Sequence, residues 1–244
     1  MTPHRVLRDR VASIAEIDSD GGARTVLPTG GAVLGLQFRG RIDAEEAPLS
    51  RFGVTGIQDR ARRYAYAPQT GTILVRFTLQ GVTCLGVPAD QLRGRHVALH
   101  DVLPAASVHE LLTRVEEAPG PQARIALVER WLLGLAYAHD PVVERAGELL
   151  TTSGDDGGVA GVARALGLSE RQLERRFRAR VGVSPKRYAR LRRFERAMAL
   201  LDGPATLTEV AYAAGYYDQS HFIREVRAFA GRAPGALVSD LSKR

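Results

Sequence analysis

Arg171, Arg175 and Arg178 stand at the spacing that stacks side chains on one face of a helix, and 49 positions later Ser220, Arg224 and Arg227 repeat it. A guanidinium is a planar fork of donors that pairs bidentately with O6 and N7 of guanine, or with a phosphate. The surrounding residues repeat as well. Leu173 matches Phe222, Phe177 matches Val226, Gly182 matches Gly231 and Pro185 matches Pro234. A fixed period with matching apolar, basic, Gly and Pro positions means one structural unit used twice.

Those side chains need helices to aim them. At about 100° per residue, Leu173, Phe177 and Val181 share one face, and the arginines lie opposite. Phe222, Val226 and Phe229 form the inward face of the second copy. Ser169 and Asp218 occupy N-cap positions, where a side-chain oxygen accepts a backbone N–H. Supporting helices are expected at 159–166 and 207–214, each followed by a glycine turn, which makes two helix-turn-helix units. A connecting helix over 186–201, with Pro185 in its first turn, carries Leu191, Phe194, Met198 and Leu201 on one side. Its other side carries Arg192, Arg193 and Arg196, which with Lys186, Arg176, Arg180 and Arg227 are the phosphate candidates.

Charge divides the chain in the same place. Residues 1–152 hold 17 basic and 17 acidic side chains, whereas 153–244 hold 17 against 10 and supply the whole net +7. Eleven basic residues fall within 171–196, against Glu174 and Glu195 alone. A basic module beside a neutral one is the footprint of a nucleic-acid binder with a second task. The Gly-rich polar stretch 151–158 marks the break, giving an N-terminal domain over 1–150 and a DNA-binding domain over 159–244.

The motif Ala163-x3-Gly167-x-Ser169-x3-Leu173-x-Arg175-x-Phe177, then Gly182-x-Ser184-Pro185-x2-Tyr188, resembles the first half of the DNA-binding domain of AraC/XylS-family transcription regulators. Val210-Ala211-x3-Gly215-Tyr216-x-Asp218-Gln219-Ser220-x-Phe222-x-Arg224, then Gly231-x2-Pro234, resembles the second half. The resemblance covers about 158–237 and implies two subdomains reading adjacent major-groove segments of double-stranded DNA. Carried over by position, it implies base contacts from Arg171, Glu174 and Arg175 in the first unit, to which the outward face adds Arg178. In the second unit it implies Gln219, Ser220, His221 and Arg224. Val226 and Leu237 depart from the family's usual Phe and Tyr, at core positions. RNA polymerase and a second copy of the chain are further partners consistent with such a regulator.

The fold class is α+β. Strands at 25–27, 32–38, 52–57 and 72–79, broken by Pro28-Thr-Gly-Gly31, Gly40 and Gly71, form a small β-barrel-like domain, followed by helices from about 88. In many members of the family this domain is cupin-like and binds a small effector or dimerises. Val26-Leu-Pro-x-Gly-Gly and Leu85-Gly-Val-Pro-Ala resemble a recurrent N-terminal type that names no ligand. His96-x3-His100-Asp101 has the spacing of two metal ligands on a helix but lacks a third, and 97–99 reads equally as strand. Arg60-Ala-Arg-Arg63 with Tyr64 and Tyr66 reads as an exposed loop, or as a binder of an anionic or aromatic effector. Trp131, with Leu127 and Leu135, reads as core or a helical dimer seam. Cys84 sits among apolar residues as a buried, inert thiol.

With one cysteine, no Gly-rich phosphate loop and no triad, an enzyme is not expected, nor a cofactor or metal. A repair enzyme fused to a helix-turn-helix module and an architectural DNA-bending protein of low specificity are the alternatives. No run approaches the roughly 20 apolar residues that span a bilayer, and no signal-peptide core is present, so a cytoplasmic location is expected.

Overall fold

The computed structural model describes residues 3–45, 49–152, 158–201 and 203–241. The N-terminal part has eight antiparallel strands: β1 (Val11–Ser19), β2 (Gly22–Val26), β3 (Val33–Arg39), β4 (Ile42–Ala44), β5 (Phe52–Thr55), β6 (Arg62–Tyr66), β7 (Thr70–Phe77) and β8 (His96–Ala98). They form a five-stranded sheet in the order β1-β7-β3-β5-β8 and a three-stranded sheet in the order β2-β6-β4.

Strand alternation explains why both faces of the larger sheet are used. Leu34, Leu36, Ile73, Val75 and Phe77 point to one side and are buried. Two helices close that side, α1 (Ala105–Glu117) against β3 and α2 (Pro121–Leu133) against β1. Val108, Leu111, Val115, Ile125, Val128 and Leu132 supply their half of this core. Arg124 of α2 clasps Glu16 of β1 in a bidentate pair, both bonds 2.8 Å, beneath the ring of Phe38. The other side of the sheet faces β2, β6 and β4, and a cavity lies between the two layers.

The strand region is wider than the sequence suggested. β1, β4 and β6 were not expected, and near 88 there are only short 3-10 turns such as Ala89–Leu92, with α-helix beginning at 105. β1 holds Glu16 and Asp18, which lower its strand propensity; the buried pair with Arg124 compensates. The Arg60–Tyr66 stretch is not an exposed loop: its second part is β6, paired on both edges. His96 lies in β8 and His100 in a separate turn, so the two do not share a helical face. Cys84 is buried, and desolvation pushes its thiol up to about 12, far from a reactive thiolate.

Seven further helices follow: α3 (Pro141–Thr152), α4 (Gly158–Ala165), α5 (Glu170–Val181), α6 (Pro185–Leu201), α7 (Leu207–Ala214), α8 (Gln219–Ala230) and α9 (Pro234–Leu241). They share a second core containing Phe177, Phe194, Phe222 and Phe229. Residues 151, 152 and 158 of the expected linker are helical, and 153–157 lie outside the described residues. α3 packs against α4, α5 and α6, so its Val143, Ala146 and Leu150 belong to the second core. Among the described residues no helix is long and apolar enough to cross a membrane.

Candidate nucleic-acid interface and the cavity behind it

α5 starts where Ser169 was expected to cap it. The Ser169 hydroxyl accepts from Gln172 N–H, and the Gln172 side chain accepts from Ser169 N–H, a reciprocal capping box. Asp218 caps α8 by accepting from His221 N–H at 2.6 Å. Gly182 ends α5 at φ 90°, and a Cβ there would stand 2.6 Å from the Ala89 carbonyl, so only glycine both turns the chain and permits this contact. With its caps fixed, each helix turns its apolar stripe inward. Leu173, Phe177, Phe222, Val226 and Phe229 are fully buried. Val226, a departure from the family pattern, is completely covered; the neighbouring Phe229 ring packs 5.0 Å from Phe194.

The outward faces are as expected. Arg171, Arg175 and Arg178 are exposed on α5, and Ser220, Arg224 and Arg227 are exposed on α8. Arg178 is held by Glu174 through bonds of 2.7 and 3.1 Å, an i,i+4 pair that sets both side chains along the helix. Gln219 is half-buried and accepts from the Thr208 hydroxyl at 2.8 Å. His221 is half-buried with its ring edge-on to Tyr216, centroids 5.3 Å apart. Arg171, Arg175, Ser220 and Arg224 thus stand as the outward groups of each face.

The phosphate candidates divide into two sets. Lys186 and Arg227 are exposed. The others are engaged within the protein. Arg176 lies 3.7 Å from Asp140, and Arg180 donates to the Ala138 carbonyl at 2.9 Å. Arg192 pairs with Glu195. Arg193 covers the Tyr216 ring at 5.5 Å. Arg196 donates to the carbonyls of Thr151 and Ala214, tying α3 and α7 to α6. Phosphate contacts were expected from this side of α6; instead it meets α3, α7 and the N-terminal domain. The reading missed Arg190 and Glu225, a pair whose carboxylate is buried between α6 and α8. Tyr212 and Tyr217, given no role from sequence, are exposed at 63% and 82%.

The N-terminal domain reaches these helices through two loops. In the first, Gly30 N–H donates to Glu195 at 3.0 Å. A Cβ on Gly30 would lie 2.8 Å from Arg192, so the absence of a side chain permits the approach. In the second, the Asp59 carbonyl accepts from Arg187 at 2.7 Å, and the Asp59 carboxylate forms an ion pair with the same guanidinium at 3.1 Å. Ala61 N–H donates to the carbonyl of Phe229, in the last turn of α8, at 2.6 Å. Ile57 inserts into the helical core. Neighbours of these contact residues, Thr29, Gly31, Gln58 and Arg62, line the cavity between the sheets.

Residues 162–239 match a family model described as a helix-turn-helix domain. A Streptomyces lividans protein described as an AraC-like transcription regulator is 35% identical over 133 residues, covering 52% of this chain and 40% of its own length. A Mycobacterium tuberculosis protein described as a bifunctional transcriptional activator and DNA repair enzyme, AlkA, is 38% identical over 98 residues, 39% of this chain and 20% of its own. The chain thus spans two fifths or less of these relatives' lengths. Among solved structures, ToxT from Vibrio cholerae O395, bound to (E)-4-(8-methylnaphthalen-1-yl)but-3-enoic acid, superposes with a TM-score of 0.50 at 10% identity. That match covers 94% of this chain and 98% of ToxT, and at this identity it is a likeness of fold.

Proposed function

We propose that this chain, whose C-terminal helices match a helix-turn-helix family model and resemble AraC-like regulators, regulates transcription by reading two adjacent major-groove segments, under the control of a small molecule held in its N-terminal domain. The observation that carries this reading is the pair of capped helices with Arg171 and Arg175 outward on one and Ser220 and Arg224 outward on the other. Arg175 and Arg224 supply base readout, and exposed Lys186 and Arg227 supply phosphate contacts and a steep salt dependence. Arg178 and Glu174 act on the DNA as a pair. Gln219 and His221 steady the start of α8 more than they reach a base. Residues 1–150 sense and 159–244 read. Effector control follows from the two docking loops, because a ligand that moves 28–31 or 56–62 moves the partners of α6 and α8.

The test is selection of bound duplexes from a random pool at near-physiological salt. Two enriched blocks about 10 base pairs apart are expected. Strong, salt-sensitive binding without enrichment would favour an architectural role instead.

A further inference from the structure

The space between the two sheets is about 150 Å³, a size that accommodates a single six-membered ring. Gly35 leaves its floor bare: a Cβ there would meet nothing nearer than 3.9 Å. Val33, Leu74, Val26 and Ile42 give it apolar walls, and Tyr64 and Tyr66 line it from β6. Its polar groups are uneven in sign. Arg51, Arg62, Arg76 and His96 line it, and among the described lining residues there is no carboxylate. Arg51 is paired with Glu116, and Arg62 donates to the Gly94 carbonyl. Arg76 lines the cavity from a solvent-exposed position and has no ion pair among the described residues. Thr72, 5% exposed, keeps a buried hydroxyl without a partner, as does His96 its Nε2 while its Nδ1 bonds Thr55 at 2.9 Å.

Unsatisfied buried polar atoms around an apolar space are costly unless something answers them, and a solvated guanidinium beside them is available to pair. A carboxylate on an apolar body answers both, since its oxygens accept from a guanidinium fork and from a hydroxyl while its ring fills the floor. A nucleotide is too large, and inorganic phosphate leaves the apolar walls unfilled. We infer that this cavity binds a compact monocarboxylate with a one-ring apolar body, gripped by Arg76 and Thr72, and that its occupancy adjusts the docking of α6 and α8. The inference rests on the proposal of effector control. Its route is the wall itself: Thr29 and Gly31 flank Gly30, which bonds Glu195, and Gln58 and Arg62 flank the Asp59–Ala61 contacts.

The experiment titrates the full chain with cyclohexanecarboxylate, its neutral carboxamide and inorganic phosphate, following binding by calorimetry. The carboxylate should bind at least about tenfold more tightly than the amide, a difference of one charge-assisted contact. Arg76→Gln should bring the acid down to the level of the amide while leaving the amide unchanged. Gly35→Leu should abolish binding of both; Gly35→Ala, a smaller intrusion, should weaken both partially and serves if the leucine variant does not fold. Equal binding of acid and amide, an equal response to phosphate, unchanged acid binding in the Gly35 variants, or no binding by any probe would overturn the assignment. Binding of the selected duplex, measured on the same preparation without acid, separates this result from failure of the DNA-reading proposal. Added acid should alter protection of the second half-site at least about threefold, and Asp59→Ala should remove that effect while the acid still binds. Unaltered protection would overturn the coupling.

Discussion

The two helix-turn-helix units share one plan and differ in what holds them. α5 carries Arg171, Arg175 and Arg178 outward, while α8 carries Ser220, Arg224 and Arg227. α5 rests on the turn Ala89–Leu92 and reaches the segment 138–140 through Arg176 and Arg180, all outside the cavity. The last turn of α8 is bonded to Ala61, and its ring Phe229 lies 4.5 Å beneath Arg187, which grips Asp59. Those loop residues are neighbours of the cavity wall. The more basic unit is thus anchored to parts of the N-terminal domain away from the cavity, and the less basic one to a loop beside it. On the function proposed above, this difference assigns affinity mainly to the first unit and control to the second.

The largest way to break the comparison is to remove one core at a time. Phe177→Ala and Phe222→Ala should each cost about 3–5 kcal/mol, measured by urea unfolding, because both rings are fully buried. Footprinting of each variant should show its own half-site weakened first. Next come the reading faces. Arg175→Ala and Arg224→Ala should each lose about 1–3 kcal/mol of discrimination at one base of a single half-site, measured with duplexes changed at that base. Loss spread evenly over all sequences would sink the face assignment. Lys186→Ala should instead weaken all duplexes alike and lower the salt slope by about one.

A smaller effect sharpens the difference in anchoring. Asp59→Ala should cost under about 1 kcal/mol in stability, because Asp59 and its partner Arg93 are both 43% exposed. Amide exchange should nevertheless rise in the last turn of α8 and stay unchanged in α5. The smallest effect is a pH slope. Burial holds the His96 imidazole below its ordinary 6.5, so the folded chain resists a proton that the unfolded chain accepts. Stability from this group is therefore complete above about 6.5 and lost as the pH falls below it. Thermal melts between pH 7 and 5 should show the slope, and His96→Asn should flatten it.

Much of the DNA-reading surface was legible because helices encode it locally. A Ser or Asp at the cap, an apolar stripe at 3–4 spacing and a glycine at the end need no distant partner to be recognised. The same logic misread α6. Arg192, Arg193 and Arg196 fall opposite the apolar stripe, yet α6 is surrounded on several sides, so Arg193 and Arg196 tie it to Tyr216 and Thr151 while Arg192 pairs with Glu195 of the same helix. Glu225, an acid on the inward side of α8, is explained only by Arg190 brought to it from 35 residues away. β6 looked like a polar loop because its inward residues, Arg62, Tyr64 and Tyr66, line a cavity and not a hydrophobic core, while Arg63 and Ala65 face solvent.

The sequence by itself determined two repeated, capped helices with basic outward faces, since period, caps and charge act within a few turns of chain. It also determined a β region ahead of them. Only the tertiary structure decided which arginines remain outward and which become ties, because that depends on what packs against each helix from far along the chain. It alone decided that two sheets enclose a cavity with bare glycine at its floor and Arg76 at its wall. It also brought loops 28–31 and 56–62 onto α6 and α8, contacts between residues more than a hundred positions apart that no local pattern records.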